Sequence, residues 1–195
     1  SISLNFKCPV IFNSVLLVFC CLLLCLPQTA AADELDTANK VQGDYCTLYF
    51  IGDIEYGLID KNISIRLIDI PKAERENLKE AATIAERIAH KVDIILLKSE
   101  QILDMYPADF HVNVIFYENT AMLDKAYEEI MGERMHLYSF YVYEDNTIYT
   151  TQKRINENVL AHELGHALVN HYFVVRPPAT VRELLSQYID YHLED

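Results

Sequence analysis

Basic side chains are scarce in this sequence: 16 Lys and Arg stand against 29 Asp and Glu, a formal net charge of −13 over 195 residues. Nucleic-acid binding rests on clustered Lys and Arg, so that class of partner is set aside, and anionic lipid is repelled for the same reason. The acidity itself reads as solubility. Cysteine is almost missing once the first thirty-odd residues are put aside. Cys8, Cys20, Cys21 and Cys25 all fall there, which leaves Cys46 alone. No intramolecular disulfide can then form, and the chain must be held by apolar burial, which a domain of this length can supply. Internal repeats and low-complexity segments are absent. Long apolar runs are absent too, with one exception at residues 15–26.

That exception is twelve apolar residues without interruption. Extended back to Val10 it reaches 17 residues, at the short limit for a bilayer core of about 30 Å. Lys7 precedes it and Ala30-Ala31-Ala32 follows it, the small side chains a signal peptidase needs. Residues 1–32 therefore read as a signal peptide cleaved after Ala32, with export to the periplasm or the medium and no stable membrane insertion afterwards. The alternative is an uncleaved anchor. Without Lys7 the remainder carries 15 bases against 29 acids, a net charge of −14. Residues 33–44 are polar and read as a flexible lead-in, and residues 45–195 as one domain.

Within that domain, residues 45–51 are rich in aromatic and aliphatic side chains, and Ile63, Ile65 and Leu67 alternate with polar residues. Both patterns predict strands of an N-terminal hairpin or meander. Residues 71–103 predict one long amphipathic helix, with Leu78, Ala82, Ala85, Ile88, Val92 and Ile95 on its apolar stripe and Pro71 in its first turn. Its charged face, from Lys72 to Lys91, reads as solvated. A strand at 110–117, a helix at 121–131, a hairpin at 137–149 turning near Asp145, and helices at 159–173 and 181–193 complete the order. The expected class is α+β: a small domain with a long N-terminal helix, a mixed sheet and two C-terminal helices.

Chemistry concentrates in His162-Glu163-Leu164-Gly165-His166, inside the apolar helix at 159–173. Residues four apart on a helix differ by about 40° in direction and one turn in height, so His162 and His166 can present imidazole nitrogens to one metal ion. Glu163 lies about 100° round from His162 and can reach a water on that ion, whose pKa zinc lowers towards roughly 7. The competing reading is two histidines satisfied inside a core helix.

The segment 137–193 resembles the zincin metallopeptidases, which carry HExxH on such a helix. The metzincin branch does not fit, because the positions where it places Gly and a third His hold Val169 and Tyr172. His171 lies about 140° round from His166 and points elsewhere. The gluzincin branch supplies a glutamate from the following helix, and Glu183 stands where that resemblance would put it. Asp190, seven residues on, is the competing ligand, and Asp190 or Gln187 could instead orient a ligand histidine. Where thermolysin-like enzymes have an Asp four residues after the ligand Glu, this chain has Gln187. Thr180 to Glu183 also spells a capping box, in which Glu183 would only satisfy a helix N-terminus.

The resemblance implies one Zn²⁺ held by His162, His166 and Glu183, Glu163 as general base, and a peptide or protein substrate whose backbone pairs with the strand region 139–151. Tyr141, Tyr172 and Tyr188 are candidate oxyanion donors with no role assigned among them. The rival function is a zincin-like binding or assembly module without catalysis.

Overall fold

The computed structural model describes residues 38–66 and 72–193; the expected signal peptide and its cleavage point lie outside them, as do Leu67 and Pro71. In chain order they form β1 (Asn39–Gln42), β2 (Cys46–Ile51), α1 (Tyr56–Asn62), α2 (Lys72–Glu80), α3 (Ile84–Leu103), β3 (Val112–Tyr117), α4 (Thr120–Met131), β4 (Ser139–Val142), β5 (Thr147–Thr151), α5 (Glu157–Tyr172) and α6 (Ala179–His192). The fold is α+β. Five strands make one mixed sheet in the order β1-β2-β3-β5-β4. β2, β3 and β5 run parallel, and β1 and β4 close the two edges antiparallel to their neighbours.

Strand alternation sorts the core into two layers. Leu48, Phe50, Val114, Phe116 and Ile148 point to one face, where they meet Ile59 of α1, Ile88 and Val92 of α3, and Leu160, Leu164 and Leu168 of α5. Ile51, Ile115, Tyr117, Phe140 and Tyr149 point to the other face, beneath Leu123 and Tyr127 of α4. Tyr141, between Phe140 and Val142, therefore faces the α5 side. Among the described residues no helix is long and apolar enough to cross a membrane.

Four expectations need correction. The lead-in at 33–44 is not wholly loose, because residues 39–42 pair with β2 as an edge strand. The cause lies far along the chain. Buried Asp93 of α3 accepts hydrogen bonds from the N–H groups of Asp44 (2.8 Å) and Tyr45 (2.9 Å), which fixes the β1–β2 turn. A Cβ on Gly43 would lie 2.4 Å from the Asp93 carboxylate, so a larger residue there would have to displace the group that fixes the turn.

The strand expected at 63–67 does not form at 63–66. Ile63 instead ends α1 with Ile59 one turn before it, and both side chains are fully buried. The single helix expected over 71–103 is two. Thr83 breaks it with a capping box: its hydroxyl accepts from the Glu86 N–H (3.1 Å), and the Glu86 carboxylate accepts from the Thr83 N–H (3.0 Å). Lastly, the charged face is not all solvated. Arg87 forms a two-pronged pair with Asp60 (3.0 and 2.8 Å), Lys91 joins it at 3.0 Å, and these contacts hold the Asp60 carboxyl below its usual range. Lys91 also donates to the Ile63 carbonyl at the C-terminus of α1 (2.8 Å). The remaining elements form where expected, with ends displaced by up to two residues.

Candidate metal centre

α5 is positioned before any chemistry is considered. Asn156 caps it, its side-chain oxygen accepting from the Val159 N–H (2.9 Å), and Leu160, Leu164 and Leu168 anchor one stripe against the sheet. The neighbouring stripe carries His162 and His166 towards α6. Contact between the two helices is close because residue 165 is glycine. A Cβ there would sit 2.7 Å from Ile189 Cδ1 and 3.0 Å from Ser186 Cα.

His162 Nδ1 donates to Asp190 Oδ2 (3.2 Å), which turns its Nε2 towards His166 Nε2, 3.1 Å away. The two rings stand nearly perpendicular, at 86°. Glu183 Oε1 lies 3.8 Å from His162 Nε2, and Glu183 Oε2 lies 3.5 Å from His166 Nε2. These three side chains form a cluster whose ligand atoms all fall within 4.8 Å of one another. Zinc–ligand bonds of about 2.0–2.1 Å at tetrahedral angles set neighbouring ligand atoms roughly 3.3–3.4 Å apart. The two imidazole nitrogens lie close to that value, and each Glu183 oxygen lies near it from one histidine, so the residues could hold one small metal ion with two imidazoles and a carboxylate.

The electrostatics favour the same use. Burial and the neighbouring His162 push His166 down to about 4, so near neutrality its imidazole is uncharged and can offer a lone pair. The Asp190 hydrogen bond raises His162. Glu163 is 7% exposed, and burial pushes its carboxyl up to about 7, against the lowering pull of His162 and Ser139. Glu163 and Ser139 line a cleft of about 360 Å³ together with His166, Tyr141 and Glu183.

The alternatives left open by the sequence separate here. α6 begins at Ala179 with Pro178 as its N-cap and no side-chain cap, so Thr180 and Glu183 form no capping box. The Glu183 carboxylate turns instead to the histidines and accepts from Gln187 Nε2 (2.8 Å). Asp190 bonds His162 on the ring nitrogen away from the cluster, the place of an orienting carboxylate. His171 hydrogen-bonds the Ala167 carbonyl through Nδ1 and packs on Phe110 and Tyr143, outside the cluster. Of the three tyrosines only Tyr141 lines the cleft, and its hydroxyl already donates to Asn146 (2.8 Å). Tyr172 lies against Phe173, and Tyr188 against His192.

Sequence reasoning passed over Asn170, Arg176 and Arg182, which line the same cleft. Asn170 sits one turn beyond His166 on α5 and could have been read from that spacing. Arg176 lies in the α5–α6 connection, where no periodicity marks a position. Gly165 was equally silent, and its replacement carries a definite expectation. Gly165→Ala gains about 1 kcal/mol of helix propensity but must push Ser186 and its backbone outwards, an overpacking that costs about 1–3 kcal/mol. The expected result is a net loss of about 1 kcal/mol in urea unfolding together with weaker zinc binding, as α6 moves Glu183 away. Unchanged zinc affinity in a competition titration would show that this contact does not set the cluster. No family model matches the chain, and no match is found among the curated proteins or the solved structures.

Proposed function

We propose that this chain is a zinc-dependent peptidase, zincin-like and gluzincin-like in its use of HExxH and a later glutamate. The observation that carries the reading is the convergence of His162, His166 and Glu183 beside the buried carboxyl of Glu163, on one cleft. Two imidazoles and a carboxylate favour zinc and leave a coordination position for water or substrate, unlike a structural site closed by four protein ligands. In such a site zinc serves as a Lewis acid and brings the pKa of water towards neutrality.

The chain's own residues supply the rest. Asp190 holds His162 in the tautomer whose Nε2 faces the cluster. Glu163, raised by burial, takes a proton from the attacking water and returns it to the leaving amine; a base poised near the working pH serves both transfers. β4 lies at the sheet edge beside α5, with Ser139 and Tyr141 on the cleft, and its free side suits an extended peptide added as a further strand. Export by a signal peptide remains part of the proposal.

Metal removal tests it. Purified protein is expected to carry one zinc per chain, to hydrolyse a peptide mixture, to lose that activity on chelation and to regain it with zinc. Stoichiometric zinc without hydrolysis of any peptide would favour the non-catalytic binding module.

A further inference from the structure

The same cleft gathers positive charge that the reaction described above does not use. Arg176 Nε donates to Asn170 Oδ1 (2.8 Å), and a terminal nitrogen of Arg182 donates to that same oxygen (3.1 Å). Two guanidiniums thus share one neutral amide oxygen, and buried Asn170 is held in turn by its bond to the His166 carbonyl (2.8 Å). Arg182 Nε is buried with no hydrogen-bond partner. Arg87 and Arg134 pair with acids, Asp60 and Glu128, whereas Arg176 lies over the Tyr143 ring at 4.8 Å, as Arg154 does over Tyr138. Among the described residues no carboxylate lies within ion-pair reach of Arg176 or Arg182, although the chain has 29 Asp and Glu.

The helix beneath them adds to the imbalance. α6 starts at this cleft with Ala179 on its wall, with no side-chain cap and no acid in its first turn. A helix N-terminus carries partial positive charge and favours anions, so an arginine in that turn works against the dipole. Two guanidiniums and a helix N-terminus thus line one part of the cleft, which the acids Glu163 and Glu183 also line. The guanidinium fork matches a planar carboxylate through paired hydrogen bonds.

We propose that Arg176 and Arg182 form a carboxylate-binding subsite, so that the substrate carries an anionic group beside the bond cut, either its terminal carboxylate or an Asp or Glu side chain. The inference rests on the peptidase reading and names the substrate class for it. Asn170 is a positioning residue here, holding both guanidiniums from the helix that carries His166.

The test uses zinc-loaded full-length protein and a mixture of scrambled octapeptides, each as the free acid and as the C-terminal amide, with products read by mass spectrometry. Cleavage at a fixed distance from the free C-terminus, lost in the amides, identifies the terminal carboxylate. Cleavage that follows an Asp or Glu at one position in both forms identifies the side chain. In either case Arg182→Gln and Arg176→Gln are expected to lower kcat/KM for the preferred peptides by about 10- to 100-fold, chiefly through KM. Neutral peptides change by less than about threefold. Cleavage indifferent to both charges, at rates the variants share, overturns the subsite and leaves the peptidase reading intact. If no peptide is cut, the peptidase reading fails and binding decides the subsite. The Nε–H resonances of Arg176 and Arg182 are then followed during titration with N-acetyl-dialanine and with its amide. Shifts with the acid alone keep the subsite; equal or absent shifts overturn it.

Discussion

Glu163→Gln is expected to fold, to keep its zinc and to lose hydrolysis by about 10²- to 10⁴-fold, the range of general-base catalysis. The amide has nearly the carboxyl's shape but cannot take a proton from water, and both imidazoles are untouched. A second consequence follows from burial. In metal-free protein the Glu163 carboxyl stands at about 7 in place of 4.5, so it holds its proton more tightly folded than unfolded. Its contribution to stability is full below 4.5 and falls away as pH rises from there through about 7. Glutamine has no such proton to lose. The metal-free variant should therefore gain stability relative to the parent across that window, which urea unfolding at pH 5 and pH 8 would show. Activity within about threefold of the parent removes Glu163 from the mechanism.

Glu183→Gln should strip the metal and the activity together while leaving the metal-free fold almost unchanged. The carboxylate is one of three side chains in the cluster, and glutamine is a poor zinc ligand. Affinity is expected to fall by well over the roughly 10–100-fold that an outer orienting residue commands. Zinc affinity is the discriminating readout, because glutamine is also accepted at that place of a capping box and metal-free stability would be kept on either reading. Glu183 caps nothing in any case, and its side chain is 48% exposed. Metal-free unfolding should then shift by less than about 0.5 kcal/mol. Stoichiometric zinc with parental affinity in the variant would remove Glu183 from the ligand set and leave Asp190 as the next candidate.

The α+β class and most elements beyond residue 110 were legible because each is a local pattern: an apolar periodicity with Gly132, Pro177-Pro178 or a turn at its end. HExxH was legible for the same reason, since helix geometry alone brings its two histidines together. What the sequence hid was long-range. β1 exists because Asp93, far along the chain, fixes the turn that follows it. Ile63 and Ile65 alternate like a strand, yet Ile63 belongs with Ile59 on a helical stripe buried against the core. The break before α3 was spelled out by Thr83 and Glu86, and a continuous apolar stripe masked it. Arg176 and Arg182 gave no pattern. They meet only because α6 folds back over Asn170.

α6 buries only Ser186 and Ile189 along its fourteen residues, and Val181, Leu184 and Tyr188 are exposed. The helix is held chiefly through its one face on α5, so its local opening is decided there. If Glu183 ligates zinc, the ion clips this helix to α5, and at a free concentration 100 times its dissociation constant it adds about 2.7 kcal/mol to the closed form. Metal supply then becomes a matter of quality control. If the chain is exported as proposed, a copy without zinc would lack that clip on α6 among neighbouring proteases, and the copies that persist would be those already charged for work.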